Sequence, residues 1–136
     1  MIDPALLRTE PETVKRSQRA RGSDESAVDR ALAADEARRT ALAEFETLRA
    51  EQKQFGTRVK GAATDETAAL IEQAQQLAAR VKDAEARAKE ADRTFTHVAM
   101  PLQNLVIDGV PAGGQENFLT LRGVGEVSAL SLAARP

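Results

Sequence analysis

Residues 70–98 read LIEQAQQLAARVKDAEARAKEADRTFTHV, and this stretch decides the fold. Leu70, Ala74, Leu77, Val81, Ala84, Ala88, Ala91, Phe95 and Val98 follow one another at spacings alternating four and three. An unbroken seam of this kind marks a helix that packs lengthwise against a partner helix. Upstream, Ala27, Ala31, Ala34, Arg38, Ala41, Phe45, Leu48, Gln52, Phe55 and Val59 form a matching seam, interrupted only by Arg38 and Gln52. The two seams are joined by the short break Gly61-Ala62-Ala63-Thr64, too short to carry the chain elsewhere. They predict an antiparallel hairpin with arms of roughly 50 Å. The polar seam residues Arg38 and Gln52 are expected to fix register rather than hold a ligand.

The flanks complete an all-α expectation. Asp3-Pro4 opens one short helix, with Asp as N-cap and Pro at the first helical position. Thr9-Glu10-Pro11 opens a second, which Gly22 ends in a left-handed cap. Its cations Lys15, Arg16, Arg19 and Arg21 are expected to complement the helix dipole, with an anionic partner as the alternative. Ser23-Asp24-Glu25 supplies the N-cap hydroxyl and two carboxylates for the first long helix, and Thr64-Asp65-Glu66 repeats that signal for the second. The first should fray between Gly56 and Gly61, and Pro101 should stop the second. The division is therefore an arm over residues 1–100, with short helices within 3–22 and long helices over 23–59 and 64–100, and a connector over 101–136. Runs 102–107 and 118–121 are β-prone, so the C-terminal tail should be extended or form short strands. The Gly113-Gly114 turn lacks the lysine of a phosphate-binding loop and reads as linker. The closing residues Val127 to Pro136 are small and apolar and have no partner strand.

Composition narrows the chemistry. Aromatic residues make up 3% of the chain, with no Trp or Tyr, which suits a thin hairpin and disfavours a deep apolar pocket. There are no cysteines and a single histidine, His97. The lack of cysteine excludes disulfides and thiolate chemistry; with one histidine no two-histidine metal site and no Ser-His-Asp set with a spare ligand is visible, and His97, beside seam residue Val98, reads as an exposed flank residue. Acidic pairs such as Glu44/Glu46 and Asp83/Glu85 lie two apart and point to different helix faces. No catalytic residue and no metal site is expected. Acidic Asp3 and the lack of an apolar core near the N-terminus argue against a signal peptide, and no run is long enough to span a membrane. The expectation is a soluble, cytoplasmic chain.

Net charge is −2, so any nucleic-acid binding must come from a local patch. Between positions 49 and 60 stand four cations, Arg49, Lys53, Arg58 and Lys60, against the single anion Glu51. On the returning helix Lys82, Lys89 and Arg93 form a stripe, and Arg80 with Arg87 flanks the other side of the seam. Cations along one edge of a rod can follow a phosphate backbone in a salt-dependent way. Charge alone favours the other reading, flanks solvated and paired with Glu51, Asp83, Glu85 and Glu90. That reading makes the chain a coiled-coil module for protein interaction with no RNA role. No aromatics interleave with the cations, so base stacking on single strands is not expected, whereas recognition of folded RNA by shape stays open.

Three sets of motifs then occur in order. Met1-Ile2-Asp3-Pro4-Ala5-Leu6-Leu7-Arg8, Glu12-Thr13-Val14-Lys15-Arg16-Ser17 and Arg19-Ala20-Arg21-Gly22 resemble the N-terminus of bacterial seryl-tRNA synthetases. Leu48-Arg49-Ala50-Glu51-Gln52-Lys53 resembles that family's pattern near the tip of its arm. Leu102-Gln103-Asn104-Leu105-Val106, with Asp108-Gly109-Val110-Pro111-Ala112-Gly113-Gly114, is similar to its connector into the catalytic domain. The resemblance covers about residues 1–126. It implies an arm that grips tRNA(Ser) by backbone and long variable arm, with Arg49, Lys53, Arg58, Lys60, Arg80 and Arg87 as candidate phosphate contacts.

The family's class II domain, which uses ATP and Mg for serylation, has no counterpart here. The implied chain is catalytically silent, needs no cofactor, and is a monomer because the family dimerises through the missing domain. Gln103 stands where the family has a proline, and the family is more polar after Glu126. An isolated arm, a stand-alone homologue and a truncated or frameshifted product all fit, and truncation is the expectation.

Overall fold

The computed structural model describes residues 2–60 and 67–125. The break at Gly61-Ala62-Ala63-Thr64, the start signal Thr64-Asp65-Glu66 and the tail Val127 to Pro136 lie outside the described residues. Four helices follow in order: α1 (Pro4–Thr9), α2 (Pro11–Ala20), α3 (Ser26–Lys60) and α4 (Thr67–Ala99). A single 3-10 turn, Gln115–Asn117, follows among the described residues.

Local chemistry explains the short elements. Asp3 Oδ1 accepts from Ala5 N at 2.7 Å and Pro4 sits in the first turn, which starts α1. At the end of α2, Gly22 adopts φ +70. Ser23 N then reaches Gln18 O at 2.9 Å and Gly22 N reaches Arg19 O at 2.9 Å, the paired bonds of a Schellman cap. The cap of α3 differs from the sequence expectation. It is the Asp24 carboxylate, not the Ser23 hydroxyl, that accepts from Ser26 N at 2.9 Å, and α3 begins at Ser26. Bonds from the Ser26 hydroxyl, the Ser26 amide and Arg30 hold the Asp24 carboxyl below its usual range.

The long helices run antiparallel along the seams. Arg38 meets Asp92 and Glu44 meets Arg87, so the index falls on α4 as it rises on α3. Helix α3 passes through Gly56 to Lys60 rather than fraying there, with half-buried Phe55 and Val59 on either side of the glycine. The described seam residues are all buried or half-buried. Full burial is concentrated at the root of the hairpin. There Leu7 of α1, Val14 of α2, Val28 and Ala31 of α3, and Phe95 and Ala99 of α4 close around one cluster with Ile2 and Leu102. Farther out Leu48 and Ala84 are the only buried residues among those described, because two helices alone cover just a strip of each other.

Residues 102–107 form no strand, and neither do residues 118–121; there is no strand among the described residues. Side chains of α2 take the place of a strand partner. Gln18 Nε2 donates to Gln103 O at 2.8 Å, and Gln103 N donates to Gln18 Oε1 at 3.2 Å. Ser17 Oγ accepts from Val106 N at 2.7 Å, and Arg21 Nε donates to Asn104 O at 3.1 Å. With these bonds made to side chains, the connector's β propensity needs no ladder.

Candidate nucleic-acid interface

The root and the outer arm use charge differently. At the root, the fully buried Asp35 carboxylate accepts from Arg8 Nη1 at 2.8 Å, Arg38 Nη2 at 2.7 Å and Arg39 Nε at 3.2 Å. Arg38 also lies 4.5 Å from the centroid of the Phe95 ring and 3.5 Å from Asp92. The first interruption of the seam is thus an ionic centre joining α1, α3 and α4. Burial pushes the Asp35 carboxyl up, but the Arg8 and Arg38 hydrogen bonds and charges outweigh it and hold it below its ordinary value.

The cations of α2 are also largely engaged within the chain. Lys15 meets Asp29 at 2.8 Å and Glu12 at 3.4 Å, Arg19 pairs with Glu25, and Arg21 holds Asn104. The Asp29 hydrogen bond, against some desolvation and with help from Glu12, raises the Lys15 ammonium above its usual range. The double-glycine turn is similarly closed. Gly113 N donates to Ala20 O at 3.1 Å and Gly114 N to Glu116 Oε1 at 3.0 Å, so neither amide is offered to a phosphate.

Along the outer arm the six candidate cations divide. Arg87 donates to Glu44 across the hairpin at 2.7 Å. Arg49 is exposed, 5.8 Å from the Phe45 centroid, and its charge adds to that of Lys89 in lowering the Glu85 carboxyl. Lys53, Arg58 and Arg80 are exposed and have no ion-pair partner among the described residues. The side chain of Lys60 lies outside the described residues.

Arg58 and Arg80 come from opposite helices onto one groove of about 420 Å³. Glu51 shares its rim, Phe55 and Leu77 of the seam belong to its apolar part, and Gln54, Gln73 and Gln76 complete it. The Arg58 guanidinium lies 5.6 Å from the Phe55 centroid, which leans it against the groove. Such a rim can hold phosphate oxygens in a water-exposed setting. Among the described residues there is no cluster of His, Cys, Asp or Glu able to hold a metal, and no helix long and apolar enough to cross a membrane.

A family model described as the seryl-tRNA synthetase N-terminal domain matches residues 1–106. The chain belongs to that family. It is similar to the serine--tRNA ligase of Cutibacterium acnes, 52% identical over 125 residues, covering 92% of this chain and 30% of the relative. The ligase of Mycobacterium avium is 49% identical over 130 residues, 96% of this chain and 31% of the relative. That of Acidothermus cellulolyticus is 48% identical over 135 residues, 99% of this chain and 32% of the relative. The chain thus spans about 30% of the length of the curated relatives it matches.

Within this seryl-tRNA synthetase arm, sequence reasoning placed the candidate cations on the outer hairpin but could not tell paired from unpaired ones. It also missed the groove's amides and Asp35. An acid three and four residues before two arginines, beside the seam, was the available signal for Asp35.

Proposed function

We propose that this chain is a tRNA-binding arm that recognises tRNA(Ser) through its backbone and long variable arm, and that it carries out no reaction by itself. The family match over residues 1–106 carries the reading, and the outer-arm cations support it. Lys53, Arg58 and Arg80 approach phosphates first, together with exposed Arg49 and with Lys60 at the end of α3; Arg87 joins once its ion pair with Glu44 loosens. Recognition is by shape and charge rather than by base sequence. The arm acts as a cytoplasmic monomer and needs no cofactor. Serylation of tRNA, with ATP and Mg, belongs to the longer proteins of the family.

Binding of the chain to a tRNA with a long variable arm and to one with a short arm, each at two salt concentrations, tests this. Tighter binding of the long-arm tRNA, weakening steeply with salt, is the expected result. Equal affinity for both, or no salt dependence, refutes it. Nuclease-resistant recovery of a protein partner without RNA would favour a coiled-coil interaction module instead.

A further inference from the structure

The outer groove has more chemistry than phosphate contact requires. Arg58 and Arg80 are enough for a backbone, yet Gln54, Gln73 and Gln76 stand with them around the side chains of Phe55 and Leu77. A carboxamide carries both donors and an acceptor, the pattern that matches the polar edge of a nucleobase and has no advantage at a phosphate. Gln54 bonds no described residue through its amide, and Gln76 donates only a long bond of 3.4 Å to Glu72. The ring of Phe55 and the side chain of Leu77 offer an apolar face of the kind on which bases rest. The volume of about 420 Å³ falls within the range of small-ligand clefts, about 300–1,000 Å³. Two arginines against Glu51 leave the rim cationic, so a strand passing along it is tolerated.

We infer that this groove receives one unpaired base of the bound RNA. Arg58 and Arg80 meet the phosphates on either side of it, and the glutamines bond its polar edge. This rests on the tRNA-binding reading above, and it adds a base contact to an arm otherwise expected to read shape. It also modifies the expectation that bases do not stack on this chain, because Phe55 is within the seam yet still reachable from the groove.

The test compares the Gln73→Ala/Gln76→Ala double variant with the Arg58→Ala/Arg80→Ala variant. Both change exposed helical positions to a better helix former, so the fold should survive, and a thermal melt verifies it. Affinity for the long-arm tRNA is measured over a salt series. The glutamine variant should bind about 10-fold more weakly at every salt concentration with an unchanged salt slope. The arginine variant should lower the slope by about 1 per lost phosphate contact. A glutamine variant that binds like the parent chain, or one whose slope changes, overturns the base contact while leaving tRNA binding intact. A parent chain that does not bind tRNA overturns both, and does so before any variant is compared.

Discussion

Replacing Asp35 with alanine should be the most damaging single change of a charged residue in the described arm. The side chain is wholly buried and receives three charge-assisted hydrogen bonds. Arg38 is the partner left worst placed, since its side chain is 28% exposed and its Nε is already buried without a partner among the described residues. Removing a buried carboxylate held by three charged donors costs about 3–5 kcal/mol, and the loss falls chiefly on Arg38, since Arg8 at 37% and Arg39 at 54% exposure can turn to water. Against a total stability of about 5–15 kcal/mol, this is a large fraction. Thermal unfolding followed by helical circular dichroism should show a midpoint lower by about 10–20 °C. Arg39→Ala is the internal control: Arg39 is 54% exposed, so its loss should cost below about 1 kcal/mol. A second readout comes from pH. The folded Asp35 carboxyl lies below its ordinary value of 3.8, so its contribution is complete above that value and is lost as pH falls through the folded one. Asp35→Asn should therefore flatten the acid limb of the stability profile. Equal costs for Asp35→Ala and Arg39→Ala, or an unchanged acid limb, would refute the account of the root.

Gln18→Ala should free both backbone groups of Gln103 at a cost of about 1–3 kcal/mol, seen as faster amide exchange at Gln103, while the Val106 amide, held by Ser17 Oγ, and α4 are unaffected. Gly22→Ala forces a side chain into φ +70 and should lower the urea midpoint by the equivalent of about 1–2 kcal/mol. Glu44→Gln removes the partner of Arg87 in a pair that is half exposed on both sides. The melting midpoint should hardly move, since such pairs contribute about 0–1 kcal/mol, while tRNA affinity at low salt should rise a few-fold.

The hairpin was legible because its signal repeats. A seam of nine residues at regular spacing on α4 leaves few alternatives, and the described members of both seams are the positions removed from water. The root was not legible, because it depends on groups far apart in the chain. Nothing near Gln18 announces that its amide will face Gln103, and Arg8 lies 27 residues from Asp35. Of the two alternatives for 102–107, an extended tail or short strands, the strand did not form, for a related reason. β propensity reports a chain that wants an extended, half-covered setting, and here α2 supplies that setting with Ser17 and Gln18. The Asp24 carboxylate rather than the Ser23 hydroxyl accepts from Ser26 N because α3 begins only at Ser26, while the backbone of Ser23 still belongs to the cap of α2.

Where charge is consumed by folding and where it is left over follows from how many elements surround it. At the root four helices and the connector converge, water is excluded, and a charge survives only if partners surround it, as Arg8, Arg38 and Arg39 surround Asp35. Beyond Leu48 and Ala84 only two helices remain, their seam is half-buried, and a cation on the flank needs no partner because water solvates it. Lys53, Arg58 and Arg80 stand in that outer part. The same thinness that makes the outer arm contribute little to stability therefore leaves its cations available. It also leaves Phe55 and Leu77 reachable between the helices. A thicker domain would have buried both the charge and the groove; a two-helix rod anchored by a dense root leaves both open to solvent.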